Sequence, residues 1–136
     1  LPTLALRYHA HDRAARELAT WMQAQAAVAR VLHPALPGAP GHAHWAAHCT
    51  AAAGLFSVLL DAALPAQRVD AFVDGLRLFR IGYSWGGPMS LVVPYDLAAM
   101  RERPGDLRGH LVRFSIGLEA VDDLRADLAQ ALALLG

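Results

Sequence analysis

A chain of 136 residues with 55% hydrophobic side chains falls within the range of one compact domain and can bury a core without disulfide or metal staples. Its 12 basic and 12 acidic residues cancel, so it lacks the electrostatic footprint of a partner for nucleic acid or for an anionic membrane surface. No apolar run approaches the roughly 20 residues that span a bilayer, no charged leader opens the chain, and the single cysteine, Cys49, cannot close an internal disulfide; a reducing cytoplasm is the expected compartment.

Leu4, Tyr8, Ala15, Leu18 and Met22 recur at helical spacing and predict a first helix, with Arg7, Arg13, Arg16 and Glu17 over much of the rest. That pattern begins almost at residue 1, as if the chain were entered partway. The stretch VARVLHPALPGAPGH (28–42) predicts a short strand and then a rigid loop through Pro34, Pro37, Gly38, Pro40 and Gly41. GLFSVLLD (54–61) is apolar on both faces, as a covered strand is. Pro65 then opens a helix that sets Val69, Phe72, Val73 and Leu76 on one side. LFRIGYS (78–84) and SLVVP (90–94) read as short strands flanking a Trp-Gly-Gly turn, and GHLVRFSIG (109–117) as a further strand. The closing helix carries Val121, Leu124, Leu128 and Leu132 in register, with Asp122 and Asp123 in the first turn, where the helix dipole favours negative charge. These elements describe an α+β fold: one largely antiparallel sheet with helices packed on a face.

Three groups of residues invite a chemical reading. Arg113 lies inside a strand between Val112 and Phe114. A guanidinium among apolar neighbours needs an anionic partner to offset its desolvation, and its planar fork matches a carboxylate. The competing reading is an arginine on the solvated face of a half-buried sheet. Trp85, after Tyr83 and Ser84 and before Gly86-Gly87, is an unusual choice for a turn and implies that something flat or apolar lies against it; a turn serine and a core tryptophan are the plainer alternatives. The third group is HAHWAAHC (42–49), where His44 and His48 share a helix face beside Cys49, a spacing that can bind zinc. No carboxylate is placed to orient such ligands, so a partly exposed polar helix without metal is the expectation. His9 and His11 project from different faces of the first helix, which argues against cooperation between them.

The motifs YSWGG (83–87), HLVRFSIGLEAVDDLRADL (110–128) and VARVLHPALPG (28–38) together resemble the C-terminal domain of the cystathionine β-lyase branch of the pyridoxal-phosphate (PLP) dependent family of cysteine and methionine metabolism. The resemblance runs over the whole chain, residues 1–136, and implies the small C-terminal domain of a fold-type I PLP enzyme. It accounts for a compositional oddity: all 12 basic residues are arginines, so no side-chain amine is present to form a Schiff base. In the family the cofactor lysine and phosphate cradle belong to an N-terminal domain, which makes that domain the implied partner and PLP the implied cofactor. These 136 residues alone are then expected to be inactive.

What the resemblance implies for this stretch is substrate binding. Arg113 takes the α-carboxylate of a thioether amino acid, and Ser84 and Trp85, with Tyr83 beside them, line the same pocket. Trp85 carries the β-lyase assignment, because γ-synthases and γ-lyases of the family usually have leucine there. The implied reaction cleaves cystathionine to homocysteine, pyruvate and ammonia, and a homo-oligomer, usually a tetramer, is implied. Met89 stands where the family commonly has an acidic residue, with Pro88 before it where an aromatic is frequent, and Ala120 replaces an aspartate that would cap the last helix. Outside catalysis, a stand-alone amino-acid-binding module or an interaction domain remain readings of the same residues.

Overall fold

The computed structural model describes residues 2–100, 105 and 107–136. Along the chain lie α1 (Leu4–Met22), β1 (Val28–Leu32), α2 (His42–His48), β2 (Leu55–Leu60), α3 (Ala66–Asp74), β3 (Arg80–Ile81), β4 (Leu91–Tyr95), α4 (Leu97–Met100), β5 (His110–Ser115) and α5 (Val121–Leu132), closing on a 3-10 turn at Ala133–Leu135. The strands form one sheet in the order β1-β2-β5-β4-β3. β5 lies at its centre, antiparallel to β2 from Leu55 opposite Ser115 to Leu60 opposite His110, and antiparallel to β4, with Val93 opposite Arg113.

Helices α1, α3 and α5 cover one face. Leu18 and Met22 of α1, Phe72 of α3, and Leu124 and Leu128 of α5 meet Phe56, Val58, Val112 and Phe114 of the central strands in one core. Phe114 is stacked on Phe56 at 5.3 Å and meets Phe79 edge-on at 5.5 Å. Burial of each such side chain contributes roughly 1.5–3 kcal/mol. Val58, Leu59 and Leu60 are all buried, so β2 is covered on both faces, as its unbroken apolar run predicts. Side chains alternate along a strand, so burying Val112 and Phe114 against the helices sends Arg113 to the opposite face.

Two features depart from the sequence reading. Of residues 78–84 only Arg80 and Ile81 pair in the sheet, and they run parallel to Leu91 and Val92. Parallel neighbours cannot be joined by a tight turn, so residues 82–90 leave the sheet edge as a long connection instead of a turn. The second departure is in α1, whose apolar stripe outruns the sheet: Ala15, Leu18 and Met22 are buried, whereas Leu4 and Tyr8 are exposed. Ala120, as its side chain dictates, gives α5 no side-chain cap. Among the described residues no helix is long and apolar enough to cross a membrane.

Local polar contacts finish the frame. The buried Asp127 carboxylate accepts from the backbone N–H groups of Arg77 and Leu78 at 2.8–3.0 Å, turning the chain from α3 towards β3. Gly109 has φ 97°, and a Cβ there would strike the Leu60 carbonyl, so only glycine can open β5.

His33 is fully buried after β1, where its Nδ1 accepts the Ala35 N–H at 3.2 Å. Nδ1 is therefore unprotonated, and Nε2, which carries the proton, has no hydrogen-bond partner among the described residues. Burial first, and the Arg16 charge second, hold this imidazole below its ordinary pKa, with Asp12 opposing. A depressed pKa means that the unfolded chain binds more protons below about pH 6.5. Stability should therefore be full above that pH and fall as pH drops towards the folded-state pKa, by at most about 1.4 kcal/mol per pH unit for one proton. Urea unfolding at pH 7.5 and 5.5 checks this. His33→Asn, which keeps an acceptor for Ala35 but does not titrate, should lose less stability between the two pH values than the native chain.

Candidate functional site

Arg113 occupies the middle of β5, held between Ser57 of β2 and Val93 of β4. Its guanidinium carbon lies 5.9 Å from the centroid of the Tyr95 ring, within cation–π range, and Tyr95 meets Tyr83 edge-on at 6.3 Å. One amino group, Nη2, reaches the Gly82 carbonyl at 3.5 Å, the long limit of a hydrogen bond. Nε is buried and has no partner among the described residues. Among the described residues no carboxylate forms an ion pair with this side chain. Arg113 thus presents a partly desolvated cation with one of its five N–H donors buried and unpartnered among those residues.

The 82–90 connection brings the other candidates alongside. Tyr83, Ser84 and Trp85 are exposed, Trp85 to 65%, while the backbone that follows them is tied down. The Arg7 Nε donates to the Gly86 carbonyl at 3.3 Å, and His11 Nε2 donates to the Gly87 carbonyl at 3.1 Å. Gly86 adopts φ 72°, a left-handed conformation that glycine takes without strain. The Pro88 carbonyl accepts the Leu118 N–H at 2.8 Å. Ser90 closes the connection: its N–H donates to Glu119 Oε1 at 2.7 Å, its hydroxyl donates to Glu119 Oε2 at 2.8 Å, and its Oγ accepts the Gly117 N–H at 2.8 Å.

Thus Arg113 and Tyr83 are gathered around Tyr95, and Trp85 points elsewhere. It lines a cavity of about 380 Å³ with Leu4, Tyr8, His11, Leu55 and Ser115, between the start of α1 and the end of the sheet. Ser115 is two residues along β5 from Arg113, so the two places are neighbours on that strand. Burial lowers the pKa of His11, with the Gly87 hydrogen bond and the Glu119 charge opposing and the Arg7 charge reinforcing. The ring is therefore held neutral more readily than a free imidazole, with its Nε2 proton on the loop carbonyl.

The sequence reading weighed His11 only as a partner for His9, and it passed over Ser90 and Glu119. His11 was legible: it stands three residues after Tyr8 and four before Ala15, on the same helical stripe. Ser90 and Glu119 are 29 positions apart and had no local signal. His44, His48 and Cys49 are exposed at α2, and among the described residues no group of three or more His, Cys, Asp or Glu side chains is placed to hold a metal ion. No amine is present either, since the chain has no lysine.

Comparison with known proteins gives this arrangement a family. The sequence pattern described as Cys/Met metabolism PLP-dependent enzyme matches residues 1–133. Cystathionine beta-lyase of Salmonella typhimurium is 45% identical across 98% of this chain, and cystathionine beta-lyase MetC of Escherichia coli is 42% identical across 98%; the chain covers 35% of each. Among solved structures, cystathionine gamma synthase from Xanthomonas oryzae pv. oryzae superposes with a TM-score of 0.82 at 32% identity, over 98% of this chain and 35% of the other. The chain thus spans about a third of the length of the relatives it matches. With a match over nearly its full length, the chain belongs to the Cys/Met metabolism family of PLP-dependent enzymes.

Proposed function

We propose that residues 1–136 form the small C-terminal domain of a PLP-dependent carbon–sulfur lyase that cleaves cystathionine to homocysteine, pyruvate and ammonia. In this reading Arg113 binds the α-carboxylate of the substrate. One observation carries it: the Nε of Arg113 is buried without a partner among the described residues. A buried, unpaired donor on a permanent cation is costly, and a carboxylate laid against the guanidinium edge satisfies Nε and a terminal amino group together.

The cofactor does not fit these residues as a covalent group, since they include no lysine. When bound, PLP supplies the electron sink of the chemistry, and in our reading its attachment falls to an N-terminal domain outside this chain. What these residues supply is orientation. Arg113 fixes one end of the amino acid, the Tyr95 face supports the guanidinium from the side, and Tyr83 and Ser84 form the wall nearest it, with Trp85 farther along the same connection at the α1 cavity. The exposed apolar side chains Ile81, Tyr83, Trp85 and Met89 gather on this connection, which supports contact with the N-terminal domain. A homo-oligomer working in the reducing cytoplasm completes the proposal. The β-lyase branch is favoured over γ-synthase or γ-lyase by Trp85 and by the names of the Salmonella and Escherichia relatives.

In the full-length enzyme, Arg113→Ala should lower kcat/KM for cystathionine by about 30- to 1,000-fold, equivalent to about 2–4 kcal/mol for a bidentate contact to a charged group. Arg113→Lys should recover little of it, because an ammonium does not reproduce the fork. Steady-state kinetics decide the matter, and a change below threefold for Arg113→Ala removes the carboxylate role.

Trp85→Leu should alter the ratio of activities on cystathionine and on cysteine while leaving the melting temperature nearly unchanged, since a side chain 65% exposed contributes little to the core of this domain. An unchanged ratio with a large drop in melting temperature would make Trp85 a packing residue and withdraw the main support for the β-lyase branch.

A further inference from the structure

We infer that Glu119 is a positioning residue for substrate binding: its carboxylate locks the 82–90 connection to the turn that follows the strand carrying Arg113, and so sets the relative placement of Arg113 and Tyr83. The inference rests on the reading of Arg113 as the carboxylate-binding residue.

Glu119 lies in the turn after β5, four residues beyond Ser115. Both carboxylate oxygens are used on one residue, Ser90, which is fully buried at the point where the connection enters β4: Oε1 accepts its N–H at 2.7 Å and Oε2 its hydroxyl at 2.8 Å. Ser90 Oγ in turn accepts the Gly117 N–H at 2.8 Å, so the serine bridges two points of the same turn. A parallel contact runs from the Leu118 N–H to the Pro88 carbonyl at 2.8 Å. Gly117 is enclosed by this arrangement, and a Cβ there would strike the Pro88 carbonyl and the Glu119 carboxylate itself.

Charge-assisted bonds of this kind are stronger and more directional than neutral ones. The carboxylate forms no ion pair among the described residues; it serves neutral donors only, as a group fixing backbone geometry does. The other end of the connection touches two neighbouring strands: the Gly82 N–H donates to the Val92 carbonyl of β4 at 3.3 Å, and the Gly82 carbonyl accepts from Nη2 of Arg113 on β5. A connection pinned at its exit by Glu119 and touching Arg113 at its entry transmits any loosening of the exit to the guanidinium. Productive geometry is steep in distance, and a displacement of about 1 Å can cost on the order of 100-fold.

The test uses the full-length enzyme with Glu119→Ala, Glu119→Gln and Arg113→Ala, and the double variant Glu119→Ala with Arg113→Ala. Glu119→Ala should raise KM for cystathionine by about tenfold or more with kcat within about threefold, and should accelerate amide hydrogen exchange across residues 82–91 by about tenfold. Glu119→Gln should stay within about threefold of the parent in KM and exchange, because the amide oxygen still accepts the Ser90 N–H and the amide nitrogen can donate to Ser90 Oγ. In the Arg113→Ala background Glu119→Ala should cost little more, since residues acting through one contact are not additive. Should Glu119→Ala fold poorly, Ser90→Ala removes the hydroxyl hub alone and should raise KM and exchange in the same direction. A lowered melting temperature with KM and exchange at 82–91 unchanged makes Glu119 merely structural and overturns the inference. So does a tenfold loss that persists in full without Arg113. If Arg113→Ala itself is silent while Glu119→Ala still accelerates exchange at 82–91, the carboxylate reading fails and the positioning of the connection stands.

Discussion

Everything at the candidate site depends on β5 being paired on both sides. With β2 along one edge and β4 along the other, its backbone groups from His110 to Ser115 lie within ladders and cannot be displaced without breaking both. Phe114 then anchors the helix face through Phe56 and Phe79. Arg113 inherits this rigidity: its Cα is as fixed as any point in the fold, and only its long side chain remains to be placed. A cation on such a strand, with a buried Nε unpartnered among the described residues, is a poor arrangement for stability alone. In the proposed reading its place is preparation for an anion.

The 82–90 connection solves a different problem, which is to present exposed aromatic side chains without letting them wander. Its carbonyls at Gly86, Gly87 and Pro88 accept bonds from Arg7, His11 and the Leu118 N–H, and Ser90 is bound at both its backbone N–H and its hydroxyl. Backbone entropy is thus removed at folding, while Tyr83, Ser84 and Trp85 stay free to contact what comes. A wall prepared in this way gives up less freedom when a ligand arrives. The donors come from two distant parts of the chain, the start of α1 and the turn after β5, so the connection is correct only once the whole domain has formed.

The overrun of α1 belongs to the same logic. A helix that ended with the sheet would have no Arg7 or His11 to offer the loop, and no Leu4 or Tyr8 to line the cavity beneath Trp85. Exposed apolar groups at Leu4, Ile81, Trp85 and Met89 make this end of the domain incomplete by itself. In the proposed reading it is the end that meets the remainder of an enzyme about three times as long.

The sequence by itself determined α1, β1, β2, α3, β4, β5 and α5 in outline and the character of the core. The spacing of Leu18 and Met22, the apolar run at 55–60 and the register of Leu124 and Leu128 each follow from side-chain periodicity, which is a local property. It also pointed to Arg113, because a charge flanked by Val112 and Phe114 on a strand is anomalous wherever the strand lies, and the lack of lysine excluded a side-chain Schiff base without any structure. Tertiary structure alone decided that β3 pairs parallel with β4, that the connection between them swings off the sheet, and that Ser90, Gly117 and Glu119 meet. It decided, too, that Trp85 lines the α1 cavity while Tyr83 faces Tyr95. These are contacts between residues tens of positions apart, set by hydrogen bonds whose partners no periodicity encodes. A hydrophobic pattern says which face of an element is buried, and only the packed chain says which polar groups are brought together at its ends.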